Sequence, residues 1–167
     1  METFLNILEL IPKEFQVMFT AAMPIIELKG AIPVGISFGM APSSAFVYSY
    51  IGSILPAPII LLSIRQIFNY LKKMSFSEKI INRLTRKSLG KAKNVKKYGP
   101  LGLFIFVAIP LPGTGVWTGS LIASLLNIKS KRALPAIIIG NLIAGIIVVG
   151  ISNGVFRILV PGTVNIL

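Results

Sequence analysis

An all-α integral membrane protein is predicted by three observations: long apolar blocks, breaks at the centre of two of them, and basic residues gathered beside them. Of 167 residues, 54% are hydrophobic and 13% charged, far from the balance of a soluble domain. In full, the pattern predicts one membrane domain over residues 1–167. It holds two inverted repeats, each a re-entrant helical hairpin plus one transmembrane helix, joined by a basic amphipathic helix. Repeat 1 covers about residues 15–71, the linker 72–98, and repeat 2 about 99–160.

The apolar blocks are residues 15–40, 45–71, 101–128 and 133–160. The second and fourth are long enough to cross a hydrocarbon core of about 30 Å with some tilt. The first breaks at "ELKG", Glu27 to Gly30, and the third at "PLPGTG", Pro110 to Gly115. The arms on either side reach only about 15–20 Å at a helical rise of 1.5 Å per residue. Arms of that length are candidates for re-entrant segments. Pro56 and Pro58 should kink the first span.

Charge placement orients the chain. The net charge is +12, but ten basic residues fall between Lys72 and Lys97 and three more in "KSKR" (Lys129, Lys131, Arg132). Clusters beside apolar blocks follow the positive-inside rule and do not call for nucleic acid as a partner. Both clusters share one side only if blocks one and three are hairpins. That places residues 72–97 and 129–132 in the cytoplasm and both termini outside. Between the repeats, Ser75 and Glu78 form a capping box ahead of Phe76, Ile80, Ile81 and Leu84 at helical spacing. This predicts an amphipathic helix on the anionic leaflet, with membrane lipids as partners. Glu2 and Glu9 stand where a cleavable signal carries basic residues, so insertion is expected to rely on the apolar blocks themselves.

The repeat is legible in alignment. "PSSAFVYSYIGS" aligns with "SKRALPAIIIGN", pairing Gly52 with Gly140 and Ser53 with Asn141, and Pro24 meets Pro110 or Pro112. One span separates the hairpins, so they should enter from opposite faces and meet near the midplane.

The chemistry available is narrow. With no cysteine and no histidine, disulfides, thiol or imidazole catalysts and Cys/His metal sites are excluded. Five glutamates are the only acids, so neither an enzyme nor a metal or other cofactor is expected. Glu27 is the one carboxylate inside an apolar block, and such a residue is a functional candidate by default. Its partner is Lys29 or Arg65, and it is a candidate proton carrier. Helices starting near Ala31 and Val116 should aim free N–H groups at the centre, an arrangement suited to an anion. Gly30, Gly113 and Gly115 permit sharp turns, and Pro33 is expected early in its helix, where a missing N–H costs little. Thr114 and Thr118 add hydroxyls, and Trp117 adds a flat apolar wall with one donor. The small residues from Gly115 and Gly119 onward suit close helix packing.

The motifs "ELKGAIPVG" and "IPLPGTGVWTGSLIASLLNI" resemble the bacterial and archaeal family of small multidrug export proteins, over roughly residues 15 to 160. That family is similar to the DedA (SNARE-associated, VTT-domain) superfamily. The resemblance implies paired re-entrant hairpins, a prokaryotic cytoplasmic membrane, and work on lipids or undecaprenyl phosphate. Glu27 matches the acidic residue of the first hairpin, and Pro110, Pro112 and Gly113 match the second hairpin's turn. DedA proteins carry arginines around that turn, whereas "FVAIPLPGTGVW" has none. Helix N-termini and Lys29 would then do more of the anion binding. The expected function is transport of an amphipathic substrate with an anionic head, of the lipid or polyprenyl phosphate type, coupled to protons through Glu27. Export of hydrophobic cationic drugs, with Glu27 as counter-charge, is the rival within transport. A membrane-organising scaffold acting through the basic helix is the rival outside it. Two full spans offer little wall around a cavity, which leaves room for a homodimer.

Overall fold

Proline and glycine decide where the helices stop. The computed structural model describes residues 11–71 and 93–159, which form helices and turns with no strand among them. They are α1 (Lys13–Ala22), α2 (Glu27–Ser37), α3 (Pro42–Ile54), α4 (Pro56–Leu71), α5 (Lys93–Tyr98), α6 (Pro100–Ala108), α7 (Val116–Leu125) and α8 (Ser130–Leu159). The amphipathic helix expected in the linker lies outside the described residues except for α5.

Blocks one and three are each split into two short helices. α1, α2, α6 and α7 have 10, 11, 9 and 10 residues, so each is about 15 Å long and none crosses a bilayer alone. Two stretches are long and apolar enough to cross: Pro42–Ile64 and Ser130–Ser152, with mean hydropathy 1.8 and 2.5. The first is interrupted at Leu55. Pro56 and Pro58 cannot donate to the carbonyls of Gly52 and Ile54, so the expected kink falls where the ladder loses those bonds.

The chain folds as two compact units, Met1–Ser53 with Gly145–Leu167, and Ile54–Ala144. In the first unit, α1 and α2 form a hairpin whose core includes Val17, Ala21 and Ala31, all fully buried. Leu28, Ile32 and Ile36 pack with Ala45 of α3 and Val148 of α8. α3 lies so close to the hairpin that a Cβ on Gly52 would overlap the backbone of Met18. In the second unit, α6 and α7 form a hairpin whose core includes Leu103, Val107, Val116 and Ile122, joined by Ile137 of α8. Here a Cβ on Gly140 would stand 2.7 Å from the Phe104 carbonyl oxygen. Gly119 closes this hairpin, with Val107 at 2.7 Å from the Cβ it lacks. Small residues thus set the helix spacing in both units, as they do between helices in lipid.

Local geometry recurs between the two hairpins. α2 ends on Phe38 (φ −77°, ψ 3°) and α7 on Leu126 (φ −84°, ψ 5°). Each is followed by a residue with positive φ, Gly39 at 79° and Asn127 at 54°. Met40 N–H then bonds to the Gly35 carbonyl at 3.1 Å and Ile128 N–H to that of Ala123 at 2.9 Å. Both are Schellman turns, for which glycine and asparagine are the favoured left-handed residues. Counting back from this turn, Leu28, Ala31, Ile32, Gly35 and Ile36 are buried in α2, and Val116, Gly119, Ser120, Ala123 and Ser124 in α7. The first arms agree too. Val17 and Ala21 match Leu103 and Val107, all at zero exposure. The arms end on Met23 and Ile109 in the same extended conformation. The first arms align Pro24 with Pro110, and the second arms align it with Pro112. The difference is taken up in a longer second tip.

Gly52→Ala and Gly140→Ala should each lower the thermal midpoint of the purified protein, because overpacking against backbone costs roughly 1–3 kcal/mol. Gly150→Ala and Gly154→Ala, where an added Cβ meets nothing within 4 Å, should be neutral or stabilise by up to about 1 kcal/mol.

Candidate functional site

The first hairpin turns earlier than its sequence predicts. The break is at Met23–Ile26, and "ELKG" forms the first turn of α2. The expected start near Ala31 is therefore corrected to Glu27. Glu27 N–H bonds to the Met23 carbonyl at 3.1 Å, and Gly30 N–H to that of Ile26, also at 3.1 Å. Those bonds draw the chain into a helix before the glycine is reached.

Three residue roles change with that shift. Gly30 is helical and does not make the turn. It makes room for Ile26, whose Cγ2 stands 2.5 Å from the Cβ it lacks. Pro33 lies inside α2 and not in its first turn, so it withholds the N–H that would reach the Lys29 carbonyl. The left-handed backbone falls on Glu27 itself, at φ 51°. That conformation costs a non-glycine L-residue about 1–2 kcal/mol.

Glu27 is the carboxylate that the fold buries among the described residues. It is 8% exposed, below a tip whose Met23, Ile25 and Ile26 are exposed at 39%, 93% and 37%. Its Oε2 lies 3.8 Å from Lys29 Nζ. A buried charge needs such a partner, since burial without one is strongly unfavourable. The carboxylate also sits in the first turn of α2, where the helix dipole favours an anion. Arg65, the other expected partner, is in α4, and its side chain lies outside the described residues.

The second hairpin breaks where the sequence says, between Ile109 and Gly115. Gly113 has φ 78°, and Gly115 has φ 141° with ψ −165°, a region open only to glycine. The Thr114 hydroxyl does not point out as a ligand donor. It lies 2.6 Å from the Ile109 carbonyl and 2.8 Å from that of Leu111, and it accepts the Leu111 N–H at 3.2 Å. It closes the tip on itself, because a threonine competes for nearby backbone groups. Pro110 precedes this loop, and Pro112 and Leu111 are exposed on it. Trp117 and Thr118 are half-buried in the first turn of α7. Around the tip, Gly102, Ile105, Phe106, Ile109, Leu111, Pro112 and Thr114 line a hollow of about 360 Å³.

Within its own unit, α2 gathers Glu27, Lys29, Gly30 and Pro33. Within the other, the second tip and α7 gather Pro110, Pro112, Gly113, Thr114, Gly115, Trp117 and Thr118. The recurring geometry adds a relation not visible in the sequence motifs. Counted back from the shared Schellman turn, Glu27 takes the register position of Gly115.

The model of the family described as "Putative small multi-drug export protein" matches residues 27–147. The chain belongs to this family. The match runs from the start of α2, the second arm of the first hairpin, through the whole second hairpin and into α8. No curated protein and no solved structure matches the chain. The family and the two long apolar helices support a membrane location and a transport role.

Thr114→Val should loosen the second tip by about 1–2 kcal/mol, since it leaves the loop's backbone groups without their hydroxyl partner. Thr114→Ser should keep the wild-type thermal midpoint. Equal midpoints for Val and Ser would show that the hydroxyl does not hold the tip.

Proposed function

We propose that the chain exports hydrophobic, cationic compounds from the membrane, with Glu27 as the counter-charge. The observation that carries this is where Glu27 sits. The fold holds a carboxylate, buried and paired with Lys29 at 3.8 Å, on a left-handed backbone. The matching position of the second hairpin is Gly115. A buried charge on strained backbone is a functional candidate. A lipophilic cation would compete with Lys29 for the carboxylate and would be matched to the apolar tip above it. A proton is the simplest alternative occupant between cycles, which makes Glu27 the candidate coupling group.

An amphipathic substrate with an anionic head is the second reading. It is favoured by the start of α7, where Gly115 places no side chain at the N-cap and the dipole is positive. At the start of α2 the chain's own Glu27 already meets that need. The family description fits the drug-export reading better.

The scaffold we infer is the inverted repeat. Matching Schellman turns, burial patterns and glycine contacts support two copies of one hairpin-plus-helix unit. With one span between them, the copies enter the bilayer in opposite senses as re-entrant hairpins. Kinship with the DedA superfamily is inferred on the same pairing of hairpins. Irregular backbone at such depth is tolerated only against protein or a water-filled cavity, which is where a transport site belongs.

The test is efflux of tetraphenylphosphonium from cells expressing the full chain. Glu27→Gln should reduce it about tenfold or more, the scale of one lost charge contact. Glu27→Gly should abolish efflux while the thermal midpoint holds or rises, because the left-handed strain is relieved. A Glu27→Gly protein that exports normally would overturn the reading. A large loss of stability in that variant would make the pair structural.

A further inference from the structure

The hollow of about 360 Å³ lies wholly within the second unit, between the outer side of α6 and the second tip. Its base is Phe106, 9% exposed, and its rim is Ile105, Ile109 and Leu111, exposed at 40%, 45% and 56%. No lining residue is charged. Thr114, the polar member, has its hydroxyl engaged with the Ile109 and Leu111 carbonyls. What remains to meet a ligand is mostly hydrocarbon.

Comparison with the first hairpin shows where the space comes from. Matching the arms at Val17 with Leu103 and at Ala21 with Val107 puts Gly102 where the first hairpin has Gln16. Gln16 fills its own position and donates from Nε2 to the Ile11 carbonyl at 2.8 Å. The far wall, Leu111 and Pro112, belongs to the longer second tip. One copy of the hairpin is thus opened by a lost side chain and walled by an extended loop.

We propose that this hollow binds the uncharged, lipophilic part of a membrane-dissolved compound, such as a fused aromatic ring or branched hydrocarbon. Dry apolar cavities of about 150 Å³ already take up benzene, and small-ligand pockets begin near 300 Å³. The hollow is in that range, and its rim is apolar, so a ligand can enter from the hydrocarbon phase without crossing water. A rigid ring seated on Phe106 keeps its dispersion contacts at a smaller ordering cost than a flexible acyl chain. The inference rests on the exporter reading only for the identity of the natural ligand. Occupancy is tested without transport.

The experiment labels the purified full chain, in phosphatidylcholine nanodiscs, with a neutral naphthalene carrying a photoreactive diazirine. Labelled peptides are mapped by mass spectrometry. Saturable labelling of residues 102–114, displaced by plain naphthalene, is expected. Gly102→Gln, which restores the residue of the first hairpin, and Ile105→Trp at the exposed rim should each weaken it about tenfold. Gly150→Ala, where an added Cβ meets nothing within 4 Å, should leave it unchanged. Labelling that does not saturate, and that equals labelling of the exposed Phe15 and Phe19 face, would make the hollow ordinary lipid-facing surface and overturn the proposal. Saturable labelling without cation efflux would instead retire the exporter reading and leave the site standing.

Discussion

The re-entrant fold we propose depends on holding short helices at a depth where they cannot hold themselves. Arms of about ten residues can neither span a bilayer nor leave their turning backbone exposed to lipid. The structure meets that constraint twice with one device. A long helix presses on the first arm of a hairpin through a glycine, Gly52 on Met18 and Gly140 on Phe104, and a Schellman turn ties the second arm to that helix. Close backbone approach supplies the packing energy that hydrophobic exclusion cannot supply in lipid.

In the proposed fold, the same constraint puts the candidate site at the tips. A tip is where the ladder is open and where polar groups find a use. In the second hairpin the open groups are closed internally by Thr114 and two positive-φ glycines. In the first, the turn is shorter and the left-handed position is carried by a glutamate. The two hairpins share local geometry and differ in tip length and in the residue at one register position, Glu27 against Gly115.

Much of the scaffold was legible in the sequence because it is written in proline, glycine and charge. Hydropathy and length gave the all-helical membrane class. The glycine register paired Gly52 with Gly140, and the structure puts both to the same use. "PLPGTG" marked a break, since few residues tolerate φ of 78° or 141°. The first tip misled for a physical reason. Its left-handed residue is Glu27, and no residue-type signal announces a glutamate in that conformation. The glycine that seemed to make the turn, Gly30, instead accommodates Ile26. Pro33 was misplaced by the same shift. Thr114 read as a ligand hydroxyl because a sequence does not show that its partners are its own neighbours' carbonyls.

The re-entrant hairpin is the claim on which the rest stands, and the missing cysteines make it directly measurable. Single cysteines at Ser44, Ser88 and Ser130 would be labelled in intact cells with a membrane-impermeant thiol reagent, and again after lysis. Re-entrant hairpins require Ser88 and Ser130 to be protected until lysis while Ser44 reacts from outside. If Ser88 and Ser130 react from opposite sides, block three crosses the membrane, and the inverted repeat of two re-entrant hairpins is wrong.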